Sequence, residues 1–461
     1  MALIIPGIPG SIQNLAQERT LERVFNDALF PRQLFRMEAT PEVWQANLGE
    51  QAVFTRTGLI APAITALVPG QDPSPQSYDT EQWDAVASQF GNTIDTHMPS
   101  SNVALASLFL RNTQTLGMNA GQTLDRISRN RLFTSYLSGE CSVRIVGSIG
   151  ASTIAVSSAN GFTQQLNAGR ISPVSTLNPI PITFTAVGEP ANTVVSFSLV
   201  DPSQPFGPAV LVLGTPLTTA VVVRSGILAA TRARRLRIGG ASTVDGLSSA
   251  NILTLNDVIS AVSRLRDLNV APHADGRYHV HLSAQAEAQI FRDNQWQRLH
   301  QSMPDSYAYK ELAIGEAVGC IFFRNTQDPN DTTVNSKISL PGIGGGAFLA
   351  PEIGGEITTE AGLAIRRTIV TGGGVLYEKF LDEGAYITEA GVTGKIGEFS
   401  IVNNGAQVMT NRIRFIIRAP LDRLQQVLSQ TWSWSGDFPA PSDALTGDSA
   451  RFKRAVVIEH A

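Results

Sequence analysis

Gly49-Glu50-Gln51-Ala52-Val53-Phe54-Thr55-Arg56-Thr57 and Trp83-Asp84-Ala85-Val86-Ala87-Ser88-Gln89-Phe90-Gly91 are the two stretches that decide the fold of this 461-residue chain. Residue types alternate along the first, as on a ribbon with two faces, and the second predicts a returning strand that ends near Gly91. Between them, Val68-Pro69-Gly70-Gln71-Asp72-Pro73-Ser74-Pro75 cannot continue a central strand and marks a loop tip. Two strands cannot bury both faces within one subunit, so the arm is expected to lie on a neighbouring molecule. Phe54, Arg56, Trp83 and Phe90 are its candidate interface residues.

A long helix is expected directly after the arm. Ser100, Ser101 and Asn102 offer side-chain oxygens to the first turn after Pro99. The apolar stripe Leu105, Phe109, Leu116, Ala120, Leu124 and Ile127 recurs at helical spacing, with a polar gap at Thr113. A helix from Asn102 to Phe133 would span about 45–50 Å at about 1.5 Å per residue. Gly117 and Gly121 each cost about 1 kcal/mol against alanine, which points to a slight bend or a close neighbour. Joined to the arm, this helix reads as a spine.

Composition narrows the function. The net charge of -4 argues against a general nucleic-acid or anionic-membrane binder. Cys141 and Cys320 are the only cysteines, too few for a disulfide framework or a four-thiolate metal site. Met1-Ala2-Leu3-Ile4-Ile5-Pro6-Gly7 lacks the basic start of a secretion signal, and no apolar run has the length of a membrane span. Of 35 basic residues only five are lysines, at 310, 337, 379, 395 and 453.

Five segments are expected: an N-terminal arm at 1–47, which would order on a partner; the β-hairpin loop at 48–98; the spine region at 99–140; an all-β insert at 141–231; and an α+β body at 232–461. The insert is signalled by an abrupt change. From Ile145 to Val223 only Arg170, Glu189 and Asp201 are charged, among eight prolines and short strands such as Ala209–Leu213. That pattern predicts a small sandwich or barrel. Arg232, Arg234, Arg235 and Arg237 follow as a basic run without aromatic interleaving, for which ion pairing between subunits is expected rather than nucleic-acid binding.

In the body, Asn256–Leu268 predicts a helix, Arg277–Leu282 a strand, and Ser283 caps a second helix through Ile290 and Phe291. Strands are expected at 366–377, 398–403, 412–418 and 454–459, and Leu421, Leu424, Val427 and Leu428 mark a further helix. The glycine-rich stretch from Leu340 to Gly355 reads as a surface loop.

No catalytic constellation emerges, and no cofactor or metal is expected. Gly391-Val392-Thr393-Gly394-Lys395-Ile396 resembles the end of a phosphate loop, yet Ile396 stands where a metal-binding hydroxyl is needed. His279 and His281 share a strand face near His273 and His300 in sequence, but no carboxylate or thiolate falls at ligand spacing, so they read as solvated or interface histidines. Trp432 and Trp434 read as interface anchors rather than sugar platforms.

Arm, ribbon, spine helix and α+β body, in that order, resemble the major capsid proteins of tailed phages with the Hong Kong 97-type fold. The family typified by the capsid protein of podovirus N-four is resembled in particular segments: Gly49–Arg56, Phe90-Gly91-Asn92, Asp275-Gly276-Arg277-Tyr278 through Asn294-Gln295-Trp296, Glu311–Gly319 and Arg451–Glu459. The insert has no counterpart there. The resemblance implies residues 48–98 as the extended loop, 100–136 as the spine of a peripheral domain, and 231 to about 425 as mainly the axial domain with its return strands. It also implies an icosahedral shell of hexamers and pentamers that encloses double-stranded DNA without sequence-specific contacts. Location would be the virion, after assembly in the host cytoplasm, and no membrane is involved. A portal and a separate scaffolding protein are expected partners, and a decoration protein is an open one. The alternatives are an encapsulin-like nanocompartment and a surface-binding protein built on the β-insert.

Overall fold

Periodicity places α3 (Leu105–Tyr136) as the longest helix, 32 residues and so about 48 Å at about 1.5 Å per residue. The computed structural model describes the chain apart from residues 1–6, 45–48, 58–59, 61, 68–69, 79, 98–104, 168–169, 204, 234, 302–314, 325–336, 340–346, 350–355, 359–362, 383–390, 403–404, 421, 425 and 442–453. The expected caps at 100–102, most of the glycine-rich stretch at 340–355 and the Glu311–Ile314 segment therefore lie outside the described residues. The fold is α+β, and contacts divide it into two units.

The first unit comprises Met1–Ala52, Asp84–Arg129 and Leu376–Pro439. Its sheet has eight strands, running from Ala39–Trp44 through Leu376–Leu381, Val427–Asp437, Ile413–Arg418, Gly405–Thr410 and Phe399–Val402 to Gly394–Ile396, with Ser88–His97 added beside Val427–Asp437. Phe109, Leu116, Ala120 and Leu124 form the buried stripe of α3. The polar gap is filled rather than wasted: buried Thr113 donates to the Phe109 carbonyl, and Gln430 Nε2 donates to Thr113 Oγ1 (2.9 Å) and to the same carbonyl (3.1 Å). Gly117 is a close-approach glycine. A Cβ there would stand 2.5 Å from the Phe25 carbonyl oxygen of α2 (Thr20–Leu29).

The N-terminal arm departs from expectation. It folds onto its own unit: α1 (Gly10–Gln17) and α2 bury Ile12, Leu21, Phe25 and Leu29, and Phe25 stacks on Phe415 at 5.0 Å. Buried Asp125 accepts the Phe35 and Arg36 amides at 2.6 and 3.1 Å, and Arg36 Nε reaches buried Glu378 at 3.0 Å. Burying Glu378 is tolerable only with such cations, which Arg36 and Arg412 supply. The short apolar spacing of these helices suffices for an intramolecular seat.

Val427–Asp437 is the second correction. A helix was expected from Leu421 to Leu428, but Asp422 instead closes a turn by accepting the Gln426 and Val427 amides, and the chain then runs extended for eleven residues. Alternate residues Leu428, Gln430, Trp432 and Trp434 are buried, which is the period of a strand. Both tryptophans are therefore core residues and not interface anchors; Trp432 Nε1 donates to Asn119 Oδ1 at 3.1 Å.

The second unit comprises Val53–Trp83, Asn130–Val375 and Ala440–Ala461. Its body is a seven-stranded sheet, with Ala455–His460 between Arg235–Arg237 and Ala364–Thr371, and Tyr278–Leu282 between Ala364–Thr371 and Cys320–Arg324. α4 (Leu255–Asp267) packs Val258, Val262 and Leu265 into the same core as Val280, Trp296, Val456 and Ile458. Its start is a capping box in which Thr254 and Asp257 satisfy each other's backbone amides, and α5 (Ala284–Arg292) is capped by Ser283 as expected. α6 (Asn294–Gln301) follows.

The insert is a ring rather than two facing sheets. Six strands run in the order Glu140–Ser142, Gly226–Ala229, Ile180–Phe184, Asn192–Leu199, Ala209–Leu213 and Thr153–Val156. The last returns to the first through the Val143–Val156 bridge, with Arg144 N donating to Ala155 O (3.0 Å) and Ser157 N to Ser142 O (2.9 Å). Val143, Ile154, Ile182, Val194, Leu211 and Ile227 fill the interior. The first strand pairs with the last, Cys141 opposite Ile227, so the chain leaves and rejoins the body side by side. At that base two left-handed glycines meet backbone to backbone: a Cβ on Gly161 would stand 2.1 Å from the Gly139 nitrogen.

Candidate subunit interface

The expected ribbon is present as Gln51–Thr57 paired with Thr80–Val86. Phe54 and Trp83 stack across it at 5.5 Å with rings 3° from parallel, and Gln51 Nε2 donates to Asp84 Oδ2 at 3.1 Å. Such a cross-strand aromatic pair contributes roughly 0.2–1 kcal/mol, too little to hold two strands alone. The return does not stop at Gly91. After Ala87, whose amide donates to Glu50 O, it continues as Ser88–His97 and pairs with Val427–Asp437 over ten consecutive positions without a bulge.

Every described residue from Ile60 to Tyr78 is exposed, and none of them lies in a helix or strand. Ile64 is 92% exposed, with Ile60, Leu67, Val53 and Tyr78 more than half exposed. This concentration of apolar side chains in water is what needs explaining. Ser88–His97 adds an edge. It has one neighbour, Val427–Asp437, among the described residues, and it carries no proline, lysine or bulge to discourage pairing.

The sequence candidates fall into three groups. Phe54 and Trp83 satisfy each other, and half-buried Phe90 leans on Trp434 at 6.1 Å. The Arg56 side chain and all of Arg234 lie outside the described residues. Arg232 is exposed, but Arg235 is not: its side chain is 3% exposed and pairs within the chain, with Glu459 at 3.5 Å and Glu140 at 4.0 Å. Arg237 joins it, with Nε 2.8 Å from Glu459 and NH2 on Glu140, and Arg367 Nε completes the cluster 3.1 Å from Glu459. Ion pairing between subunits is thus corrected to an intramolecular network for Arg235 and Arg237. Burial opposes the charge on Glu459, but Arg237, Arg235 and Arg367 together hold its carboxyl down at about 2.

Ile60, Ile64 and Leu67 were the residues that sequence reading passed over. The signal was there: three aliphatics four and three apart, at helical spacing, in a stretch where Pro62 and Pro69 break the helix that could bury them.

The other chemistry-bearing motifs have local partners. Gly394–Ile396 is a strand paired with Phe399–Ile401, where a phosphate loop would open a helix. His279 Nε2 lies 2.8 Å from Asp275 and its ring stacks on His273 at 4.0 Å, while buried His281 stacks on Phe323. The His300 side chain lies outside the described ones. Cys141 and Cys320 are free and buried, and burial pushes the Cys320 thiol up to about 11. Among the described residues no helix is long and apolar enough to cross a membrane.

No protein-family model matches the chain, and no curated protein matches it. Solved structures do resemble it in outline. The capsid of Ralstonia phage GP4 is 10% identical with a TM-score of 0.43, covering 93% of this chain and 91% of that one. The capsid of cyanophage Pam1 is 9% identical with a TM-score of 0.47, covering 95% and 93%. The head of Helicobacter pylori bacteriophage KHP40 is 7% identical with a TM-score of 0.41, covering 91% and 87%. At TM-scores below 0.5 these are likenesses of outline, and an assignment has to rest on the chain's own residues.

Proposed function

We propose that this chain is the major capsid protein of a tailed bacteriophage, a structural subunit that assembles with copies of itself into an icosahedral shell around double-stranded DNA. The carrying observation is the ribbon. Its two strands lead to a tip whose described residues, 60 to 78, are exposed throughout and include Ile60, Ile64 and Leu67. Among the described residues nothing covers this tip, and a neighbouring copy would cover it, where many such contacts per shell sum by multivalency. A two-stranded ribbon, then the 32-residue helix α3, then an α+β body along the chain supports this reading. In this reading residues 48–98 are the extended loop, 99–140 the spine region, 232–461 the axial domain with its return strands, and the barrel a surface graft. Hexamers and pentamers are the assembly units, and portal, scaffolding and decoration proteins are separate chains.

Electron microscopy of the purified recombinant protein tests the proposal. Closed shells are expected, and replacing Ile60, Ile64 and Leu67 together by serine should leave soluble subunits that form none. Shells from the triple variant, or a wild-type protein that stays monomeric at high concentration, would sink the idea. Nucleic acid inside particles from infected cells distinguishes a capsid from a nanocompartment with protein cargo.

A further inference from the structure

A cleft of about 880 Å³ opens where the foot of the barrel meets Arg235–Arg237 and α4. We propose that it is a binding site for a phosphate group. Four arginines line it, Arg232, Arg235, Arg237 and Arg264, against a single acidic residue, Glu140. Glu459 stands behind Arg235 and Arg237, but Arg367 matches its charge from the same side. The wall therefore holds an excess of about three positive charges in a protein whose net charge is -4.

The arginines are of two kinds. Arg235 and Arg237 are fixed and desolvated, with side chains 3% and 7% exposed and their N–H groups turned to Glu140, Glu459 and the Leu137 and Ser242 carbonyls, so they add charge to the wall rather than donors to a ligand. Arg232 and Arg264 take no carboxylate among the described residues. Arg232 is exposed, and Arg264 gives one N–H to the Arg235 carbonyl at 3.2 Å. On the same wall Gly240 has φ of 73°, and nothing stands within 4 Å of where its Cβ would be, so a ligand can approach that one residue's backbone. Guanidinium forks from a helix on one side and an extended segment on the other suit a tetrahedral oxyanion, which accepts in several directions, better than a planar carboxylate. Free phosphate and the phosphodiester of a nucleic acid share this chemistry.

Calorimetric titration of the full-length protein with sodium pyrophosphate, in chloride buffer at constant ionic strength, tests the site. One saturable event per chain is expected. Arg232→Ala and Arg264→Gln should each weaken it at least about tenfold, and the pair should remove it, while Arg418→Ala, an exposed arginine elsewhere, should leave it unchanged. A short duplex oligonucleotide that competes with pyrophosphate identifies a nucleic-acid backbone as the source; failure to compete identifies free phosphate. Absence of saturable binding to the wild type, or equal affinity in the wild type and the double variant, would overturn the proposal. Arg232 is exposed, so its variant is expected to keep the wild-type melting curve, and a shifted curve would count against the comparison being clean and throw the decision onto the wild-type titration.

Discussion

The ribbon at residues 51–86 and the barrel at 140–229 are both antiparallel β-structure, and they treat their edges in opposite ways. The barrel closes, Val143 on Val156, and fills its interior with its own valines, leucines and isoleucines, so none of its six ring strands is left for a neighbour. The ribbon has two strands, one aromatic stack and an exposed apolar tip. What one region completes inside a single chain, the other, under the proposed function, leaves to a neighbouring copy. The difference assigns self-sufficiency to the barrel and dependence to the ribbon, and each assignment can be broken.

The largest effect is expected at the ribbon. Deleting residues 59–77 should abolish closed shells outright while the circular dichroism spectrum of the remaining chain stays folded. Normal particles in the electron microscope would reverse the roles of the two regions.

Next in size is Glu459→Gln. The substitution leaves Arg235, Arg237 and Arg367 around a neutral amide, and removing one partner of a buried ion cluster costs about 3–5 kcal/mol. Chemical denaturation should show that loss in the body. The pH dependence has a definite sign. Glu459 is held at about 2, below its unfolded value, so its contribution is full above the ordinary carboxylate range near 4 and is lost as pH falls toward 2. Burial of His460 holds its ring down at about 4, so its contribution, full above about 6.5, disappears as pH drops toward 4. Wild-type stability should therefore fall in two stages on acidification, and E459Q should lack the lower one. A single stage in both proteins would refute the assignment.

A smaller loss is expected from Gly117→Ala. Its Cβ would meet the Phe25 carbonyl at 2.5 Å, and a backbone atom cannot step aside as a side-chain tip can. Overpacking of this kind costs about 1–3 kcal/mol despite the better helix propensity of alanine. A gain in melting temperature would show that α2 yields.

The smallest expected effect is none. Residues 139–231 expressed alone should keep the barrel's cooperative melt, since every strand of the ring is included. Glu140 would lose Arg237, but the core would lose nothing. A disordered fragment would make the barrel as dependent as the ribbon.

How far the sequence could be read follows the same division between local and distant partners. α4 and α5 were legible because Thr254, Asp257 and Ser283 announce their starts and the apolar residues repeat at helical spacing. Thr113 could be seen to interrupt the stripe of α3, but only Gln430, more than three hundred residues away, explains why it is buried. Leu421–Leu428 carries an apolar spacing compatible with a helix, and the strand won because Ser88–His97 and Ile413–Arg418 bracket it from both sides. Arg235 and Arg237 looked like surface charge. Their carboxylates, Glu140 and Glu459, come from strands at opposite ends of the sequence, a pairing no local pattern contains. Ile60, Ile64 and Leu67 are the opposite case, since their spacing suggests a buried face and the described residues leave them exposed.

Because Glu140–Ser142 and Gly226–Ala229 are hydrogen-bonded neighbours, the body receives the insert through two points about 5 Å apart. A gap that narrow is bridged equally well by a tight turn or by any other domain with adjacent ends. The junction is thus a socket. An engineer can replace the barrel with an enzyme or an antigen while the strands of the body keep their register, at the loss of the cleft and of Glu140's pairs with Arg235 and Arg237.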